Sequence, residues 1–134
     1  MTGITDLPTL LGSLRPLLRE HEFVFVTQPG KRIADAADLR PIAAFEEQEG
    51  LTLVLRREHA DANGEHYQGV FRMITLQVHS SLEAVGLTAA VAEALSEQGI
   101  SANVMAAFFH DHVFVPSDRA HDAMATLEGL RSRN

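Results

Sequence analysis

Apolar and polar positions alternate with recognisable periods in the first half of the chain. Leucines recur at helical spacing and predict a short helix over Leu7–Leu14, capped by Thr5 or Asp6 and ended by Pro16. The segment Glu22–Thr27 (EFVFVT) is aromatic and β-branched, with phenylalanines on one face and valines on the other. Because both faces are apolar, this segment is predicted to be an internal strand.

Turn chemistry organises the residues that follow. The segment Gln28–Pro41 contains Pro29-Gly30 and a weak helical pattern, and it is predicted to be a connector. Ala43–Glu46 and Leu51–Arg57 are predicted to pair as a hairpin around the sequence Gln-Glu-Gly at 48–50. Asn63-Gly64 predicts a further turn before the second half begins.

The second half begins with a clear strand pattern. Apolar positions alternate over Gly69–His79, which predicts a strand. Ser80 and Glu83 have the spacing of a capping box, which predicts a helix that runs to Gln98 and stops at Gly99. The apolar side of that helix is predicted to cover a sheet.

Two further strands and a helix complete the pattern. Ile100–Phe109 and His112–Val115 are predicted strands joined by a tight turn at His110-Asp111. Ser117 is predicted to cap a last helix. The resulting order, β-α-β-β-α, lacks only the final strand of a ferredoxin-like split βαβ unit, and a strand of the first half is predicted to supply it.

Three finer expectations depend on this assignment. Glu22–Thr27 is the segment expected to provide the missing strand. Phe108 and Phe109 alternate faces on the predicted strand, and both are expected in the core. Gly86 falls inside the predicted helix, where glycine costs about 1 kcal/mol relative to alanine, so close packing or a ligand is expected there.

Composition then limits the function classes. The 134 residues are 46% hydrophobic and 22% charged, and this composition is typical of a soluble globular protein. The net charge is −7 without a basic cluster, which argues against a nucleic-acid or membrane partner. No cysteine is present, so thiolate metal sites and cysteine nucleophiles are excluded. No apolar stretch is long enough for a membrane helix, and the N-terminus lacks the basic start of a secretory signal. We therefore expect a cytoplasmic protein that uses no cofactor.

The predicted topology brings two remote segments together. In a split βαβ sheet the first and third strands are neighbours, so the segment 79–83 is expected beside His110-Asp111-His112. Free helix amides and the hydroxyls of Ser80 and Ser81 suit a carboxylate. The Asp111 carboxylate suits an ammonium group. An α-amino acid carries a carboxylate and an ammonium group on one carbon, so the helix start and Asp111 together match its head group.

Two other functions remain open on the residues alone. His79, His110 and His112 could bind a metal ion in a metal-dependent enzyme. Alternatively, an exposed sheet edge could pair with a second copy, which would make the protein a structural association module.

The residues themselves resemble a known family. Ile74–Leu127 contains HSSLEAVGLTAAV followed by HDHVFVP, and it is similar to the second half of small bacterial ACT-domain proteins with two ACT-like units. Ala43–Ala60 (AAFEEQEGLTLVLRREHA) is similar to the hairpin of their first unit. The ACT units of aspartate kinases and of the animal cytosolic arginine sensor are also similar.

The resemblance implies an α+β, ferredoxin-like ACT fold in which antiparallel sheets are covered by helices. It implies two units, 1–68 and 69–134, of which the first is incomplete, so that the two halves either share one sheet or exchange an element. It implies a non-catalytic regulatory protein that binds a small molecule, usually an amino acid, and acts through a partner chain or its own association, here expected as a homodimer. The ligand residues that the resemblance implies are Ser80, Ser81, Leu82, Glu83, Ala84, Val85, Gly86 and Asp111, and the facing wall that it implies is Glu49, Gly50, Leu51 and Thr52. Where relatives often carry tyrosines before HDH, this chain has phenylalanines.

Overall fold

The computed structural model describes residues 6–78 and 86–132, which fall into two compact units. In chain order the elements are α1 (Leu7–Ser13), β1 (Arg15–Gln28), a 3-10 helix (Ile33–Leu39), β2 (Ala43–Glu47), β3 (Gly50–Arg56), α2 (Arg57–Ala62), β4 (Phe71–Gln77), α3 (Leu87–Glu97), β5 (Asn103–Ala106), β6 (Asp111–Pro116), a 3-10 turn (Ser117–Arg119) and α4 (Ala120–Ser132). No helix in the described part of the chain has the length and apolar character needed to cross a membrane.

The two units are interleaved along the chain. The first contains the described residues up to Arg19 and from Arg72 onward, and the second contains Glu20–Phe71. Strand β1 begins in the first unit and ends in the second. The division at 68 and 69 drawn from the sequence separates consecutive segments, whereas in the structure residues 6–19 belong with the C-terminal half.

The first unit has the expected ferredoxin-like arrangement. Its strand order is β1-β4-β6-β5, which is the order of a split βαβ unit with β1 in the final position. Helices α1, α3 and α4 contact one another and cover one face of this sheet. The core residues are Leu14, Ile74, Leu76, Leu87, Val91, Ala94, Leu95, Ile100, Val113, Val115, Ala120, Ala123, Leu127 and Leu130. Helix α4 contributes four of these buried residues, Ala120, Ala123, Leu127 and Leu130.

Strand β1 is longer than the sequence indicated. It starts at Arg15, directly after α1, and not at Glu22. The part of β1 that belongs to the first unit is Arg15–Arg19, so Glu22–Thr27 was the wrong segment of the correct strand. The added residues are largely polar and have no apolar alternation that would mark a strand in the sequence.

The second unit is built on the predicted hairpin. Strands β2 and β3 pair antiparallel with Phe45 opposite Thr52, and β3 pairs antiparallel with β1, with Val24 opposite Leu55. The strand order is therefore β2-β3-β1. Its core consists of Val24, Val26, Ala36, Leu51, Leu53, Leu55 and Ala60.

Helix α2 was not predicted. Residues Arg57–Ala62 are mostly charged and contribute a single buried side chain, Ala60, so they show no apolar stripe. The Asn63-Gly64 turn predicted from the sequence follows this helix directly.

The connection between β5 and β6 differs from the expected tight turn. Strand β5 ends at Ala106 and strand β6 begins at Asp111. In the loop between them, the N–H of Ala107 donates to the carbonyl oxygen of His110. Phe108 and Phe109 therefore lie in the loop and not in the core: they are 77% and 82% exposed. Their rings contact each other edge to face, at 4.9 Å between centroids. A strand ends at the last residue that pairs with its neighbour, here Ala106 opposite Asp111. The alternation of apolar residues does not show where that pairing ends.

Candidate functional site

Only part of the predicted ligand site is described. His79, Ser80, Ser81, Leu82, Glu83, Ala84 and Val85 lie outside the described residues, and with them the predicted capping box. Gly86 and Asp111 are described, and both belong to the first unit. Their surroundings can be compared with what the sequence implied.

Gly86 is not inside a helix, as the sequence indicated, but directly precedes α3. Its φ of +100° is a left-handed value, and Leu87 is the first helical residue. A Cβ on Gly86 would lie 3.2 Å from Cδ2 of Leu7 in α1. Both the backbone conformation and the close approach therefore favour glycine. The side chain of Leu7 occupies the space that a side chain at position 86 would need.

Asp111 is the first residue of β6 and is partly buried. It pairs with Ala106 and is therefore a strand residue, not part of a turn. Strand β6 lies beside β4, and Oγ1 of Thr75 is 3.0 Å from Nδ1 of His112. The beginning of β6 thus lies near the last residues of β4, where the predicted topology places it.

A polar cluster that the sequence did not indicate includes His112, the residue that follows Asp111 in β6. Thr75 is 2% exposed and is the buried polar residue of the described ranges. Its Oγ1 accepts a hydrogen bond from Nη1 of Arg19 at 3.5 Å and also contacts His112. The sequence did not indicate Arg19, because residues 15–21 of β1 were not predicted to be a strand. It did not indicate Thr75, because Thr75 is an ordinary alternating position of β4.

Electrostatics at His112 follow from this packing. Burial lowers the pKa of His112, the neighbouring His110 and Arg19 side chains lower it further by electrostatic repulsion of the imidazolium, and Asp111 opposes them. Near neutral pH His112 is therefore an uncharged imidazole. Nδ1 of His110 is also buried and has no hydrogen-bond partner among the described residues.

The metal-site alternative receives no support from the described residues. Within 6–78 and 86–132 no three His, Asp or Glu side chains are close enough to hold a metal ion. His79, the third ligand considered, lies outside these ranges.

The predicted facing wall lies in the second unit. Gly50 begins β3, Leu51 is fully buried in that unit's core, and the hydroxyl of Thr52 donates to the Glu47 carboxylate. A Cβ on Gly50 would lie 3.1 Å from Cα of Pro29, so the start of β3 packs closely against the turn at residues 29–30 that follows β1. Glu49 lies in the turn and is exposed. The role of these residues in ligand binding stays a prediction.

A shallow cavity in the second unit has a different character. It measures about 180 Å³ and is lined by Glu22, Arg57, Glu58 and Asp61. Arg57 donates to Glu22 and to the Tyr67 hydroxyl, each at 3.1 Å, and that hydroxyl donates to Asp61 at 2.7 Å. These contacts raise the pKa of Arg57, and the bond to Tyr67 contributes most. Because the charges pair with one another, this cavity is a weaker ligand candidate than the Asp111 region.

Family models match the chain over nearly its whole length. One ACT-domain model matches residues 2–72, and a second ACT-domain model matches residues 69–129. No curated protein matches the chain.

Solved structures give a consistent picture. A Vibrio cholerae protein of unknown function, described as a possible transport protein, is 48% identical, covers 97% of this chain and 99% of its own, and has a TM-score of 0.87. Aspartate kinase from Clostridium acetobutylicum is 8% identical with a TM-score of 0.67, over 87% of this chain and 34% of the kinase. The regulatory subunit of aspartate kinase from Thermus thermophilus is 11% identical with a TM-score of 0.59, over 87% of this chain and 95% of the subunit. The two aspartate kinase comparisons establish likeness of fold.

Proposed function

Because the chain belongs to the ACT-domain family, we propose that it is a non-catalytic regulatory protein that binds a small amino acid. The observation that carries the proposal is the position of Asp111. Its carboxylate is partly buried at the start of β6, next to β4, at one end of the first unit's sheet. A carboxylate at such a position suits the ammonium group of an amino acid.

The proposed binding mode uses both ends of the ligand head group. Asp111 accepts from the ammonium group, and the segment Ser80–Gly86 contacts the carboxylate. Helix α3 starts at Leu87, directly after this segment, and its first N–H groups add to the proposed contact, because the first N–H groups of a helix have no partner within the helix and attract anions.

Magnitudes place the affinity in a modest range. A contact at a helix start contributes about 0.3–2 kcal/mol, and a charge-assisted hydrogen bond contributes about 1.5–3 kcal/mol. Immobilising the ligand opposes both contributions. Dissociation constants in the micromolar to millimolar range follow, and these suit a sensor of a metabolite pool.

The proposal extends to location and output. We propose that the protein is cytoplasmic and forms a homodimer. Because its family is regulatory, we also propose that it acts on a partner protein. Light scattering of the purified chain measures the oligomeric state. A monomer in the presence and absence of amino acids would contradict the homodimer.

The experiment that tests the proposal is a thermal-shift panel of the twenty amino acids, followed by calorimetry. We expect at least one amino acid to stabilise the wild type, and Asp111→Asn to weaken its binding about tenfold or more, the equivalent of one charge-assisted hydrogen bond. Asp118→Asn, an exposed change of the same kind, is the control. If no amino acid binds, the ligand class is wrong; if Asp111→Asn binds like the wild type, the role of Asp111 is wrong.

A further inference from the structure

Polar side chains from three neighbouring strands of the first unit meet on the same sheet face. Leu18, Ile74 and Val113 pack into the core that the helices cover. Successive side chains on a strand point to opposite faces, so Arg19, Thr75 and His112 lie on the face away from these helices. The strands β1, β4 and β6 are adjacent in that order.

The three side chains form a hydrogen-bonded row across these strands. Nη1 of Arg19 donates to Oγ1 of Thr75, and that hydroxyl is in contact with Nδ1 of His112. In the tautomer in which Nδ1 of His112 accepts the Thr75 proton, Nε2 carries the ring hydrogen. Thr75, which is almost fully buried, therefore holds the arginine and the histidine in a defined relation to each other.

Arg19 has hydrogen-bonding capacity left over. Its guanidinium has five N–H donors, of which the contact to Thr75 uses one at a long distance. Among the described residues no carboxylate forms an ion pair with Arg19. Nε of Arg72 donates to the backbone carbonyl oxygen of Arg19 at 3.1 Å, so this second guanidinium contacts the main chain of Arg19 and not its side chain. An acidic chain of net charge −7 thus presents an exposed arginine that pairs with no carboxylate of residues 6–78 and 86–132.

We propose that Arg19 and His112, held in position by Thr75, form a binding site for an oxyanion, the carboxylate or phosphate group of a small ligand. Arg19 donates from its unused guanidinium hydrogens, and His112 donates from Nε2. A guanidinium group can donate two parallel hydrogen bonds to two oxygens of a carboxylate or a phosphate, and this makes arginine a common partner of both anions. The site is separate from the proposed amino-acid head-group site, because Asp111 alternates with His112 and lies on the opposite face of β6.

The test is sulfate binding at one fixed pH and constant ionic strength, measured by calorimetry, with acetate in a parallel series. Sulfate represents a phosphate group and acetate a carboxylate. We expect one of them to bind the wild type, and Arg19→Gln to weaken binding about tenfold or more, as the loss of a charge-assisted hydrogen bond does. Arg131→Gln removes the same charge from the last turn of α4 and should leave binding unchanged.

Thr75 variants separate positioning from general stability. Thr75→Ser keeps the hydroxyl and should bind the anion like the wild type, whereas Thr75→Val removes the hydroxyl and should weaken binding. Amide chemical shifts of residues 74–76 and 111–113 give a readout that needs no variant, because the bound anion should move them more than the amides of α4.

Sulfate also stabilises proteins in general by exclusion from their surface, so thermal stabilisation alone does not support the site. The proposal is overturned if neither anion binds, or if the wild type and Arg19→Gln bind equally well. Binding of sulfate alone identifies a phosphate site, and binding of acetate alone identifies a carboxylate site.

Discussion

Gly86 is held in a backbone conformation that other residues rarely adopt. Its φ is +100°, and Leu7 occupies the space into which a Cβ would project. The sequence showed that a glycine at this position is unusual, but it did not show why glycine is needed there. The sequence suggested a helix interior, and the structure shows a helix start that α1 approaches closely.

Substitution of this glycine tests the account. We expect Gly86→Ala to lower the free energy of unfolding by about 1–3 kcal/mol, because alanine is strained at positive φ and contacts Leu7. Chemical denaturation measures the change.

Gly129 provides the matched control. It lies inside α4 at an ordinary helical φ, and a Cβ there would meet no atom within 4 Å. Gly129→Ala should therefore raise stability by about 0.5–1 kcal/mol. Equal effects of the two substitutions would show that neither the φ nor the contact with Leu7 matters.

The residue scale also shows where local patterns mislead. Phe108 and Phe109 continue the apolar run of β5, yet the strand ends before them and both rings are exposed. Phe114, on the paired strand, is 2% exposed. Hydrophobicity predicts which residues can be buried, and only the neighbouring chain decides which of them are.

At the scale of elements, the sequence was most informative where signals are local. Helix α1 begins as predicted and ends at Ser13, one residue before the predicted end: Asp6 is its N-cap, and Oδ2 of Asp6 accepts from the N–H of Thr9 at 3.1 Å. Helix α2 was missed because six largely charged residues show no apolar period. A short helix of this kind is held by its surroundings more than by its own sequence.

The cap of α1 predicts a pH dependence. Hydrogen bonds from the Thr9 hydroxyl and the Thr9 N–H lower the pKa of Asp6 below 3.8. The unfolded chain therefore binds this proton more readily, so the stabilisation is complete above about pH 4 and is lost as the pH falls through the folded-state pKa.

Two variants check this sign. Asp6→Ala should be less stable than the wild type at neutral pH, because the cap is lost. Asp6→Asn should keep a cap that does not titrate, so its disadvantage relative to the wild type should shrink on acidification. Denaturant unfolding near pH 7 and near pH 3 measures both effects. A constant difference between the wild type and Asp6→Asn at the two pH values would contradict the assignment.

The whole molecule combines two cores with one shared strand. Each unit has its own buried cluster, and β1 runs from the first into the second. Unfolding of either unit therefore removes strand partners from β1. We expect a single cooperative transition for the chain.

Optical probes that report mainly on different units test this cooperativity. The chain has one tyrosine, Tyr67, and no tryptophan, so tyrosine fluorescence reports the second unit. The far-ultraviolet helix signal comes mainly from α3 and α4 in the first unit, of 11 and 13 residues. Ile74→Ala, in the first unit's core, should cost about 2–5 kcal/mol and shift both signals together.

The reciprocal variant is Leu53→Ala in the core of the second unit. It should also shift both signals. Two separate transitions, or a shift confined to one probe, would show that the units unfold independently.

The sequence by itself determined the family, the fold class and most element positions, because residue identity and hydrophobic period are local properties of the chain. It also singled out Asp111 beside the end of β4, through a topological rule. Only the tertiary structure decided that β1 serves both units, that Leu7 approaches Gly86, and that Arg19 and Thr75, 56 positions apart, share a hydrogen bond. These features are contacts between distant residues, and a contact depends on how the whole chain packs, which no local pattern records.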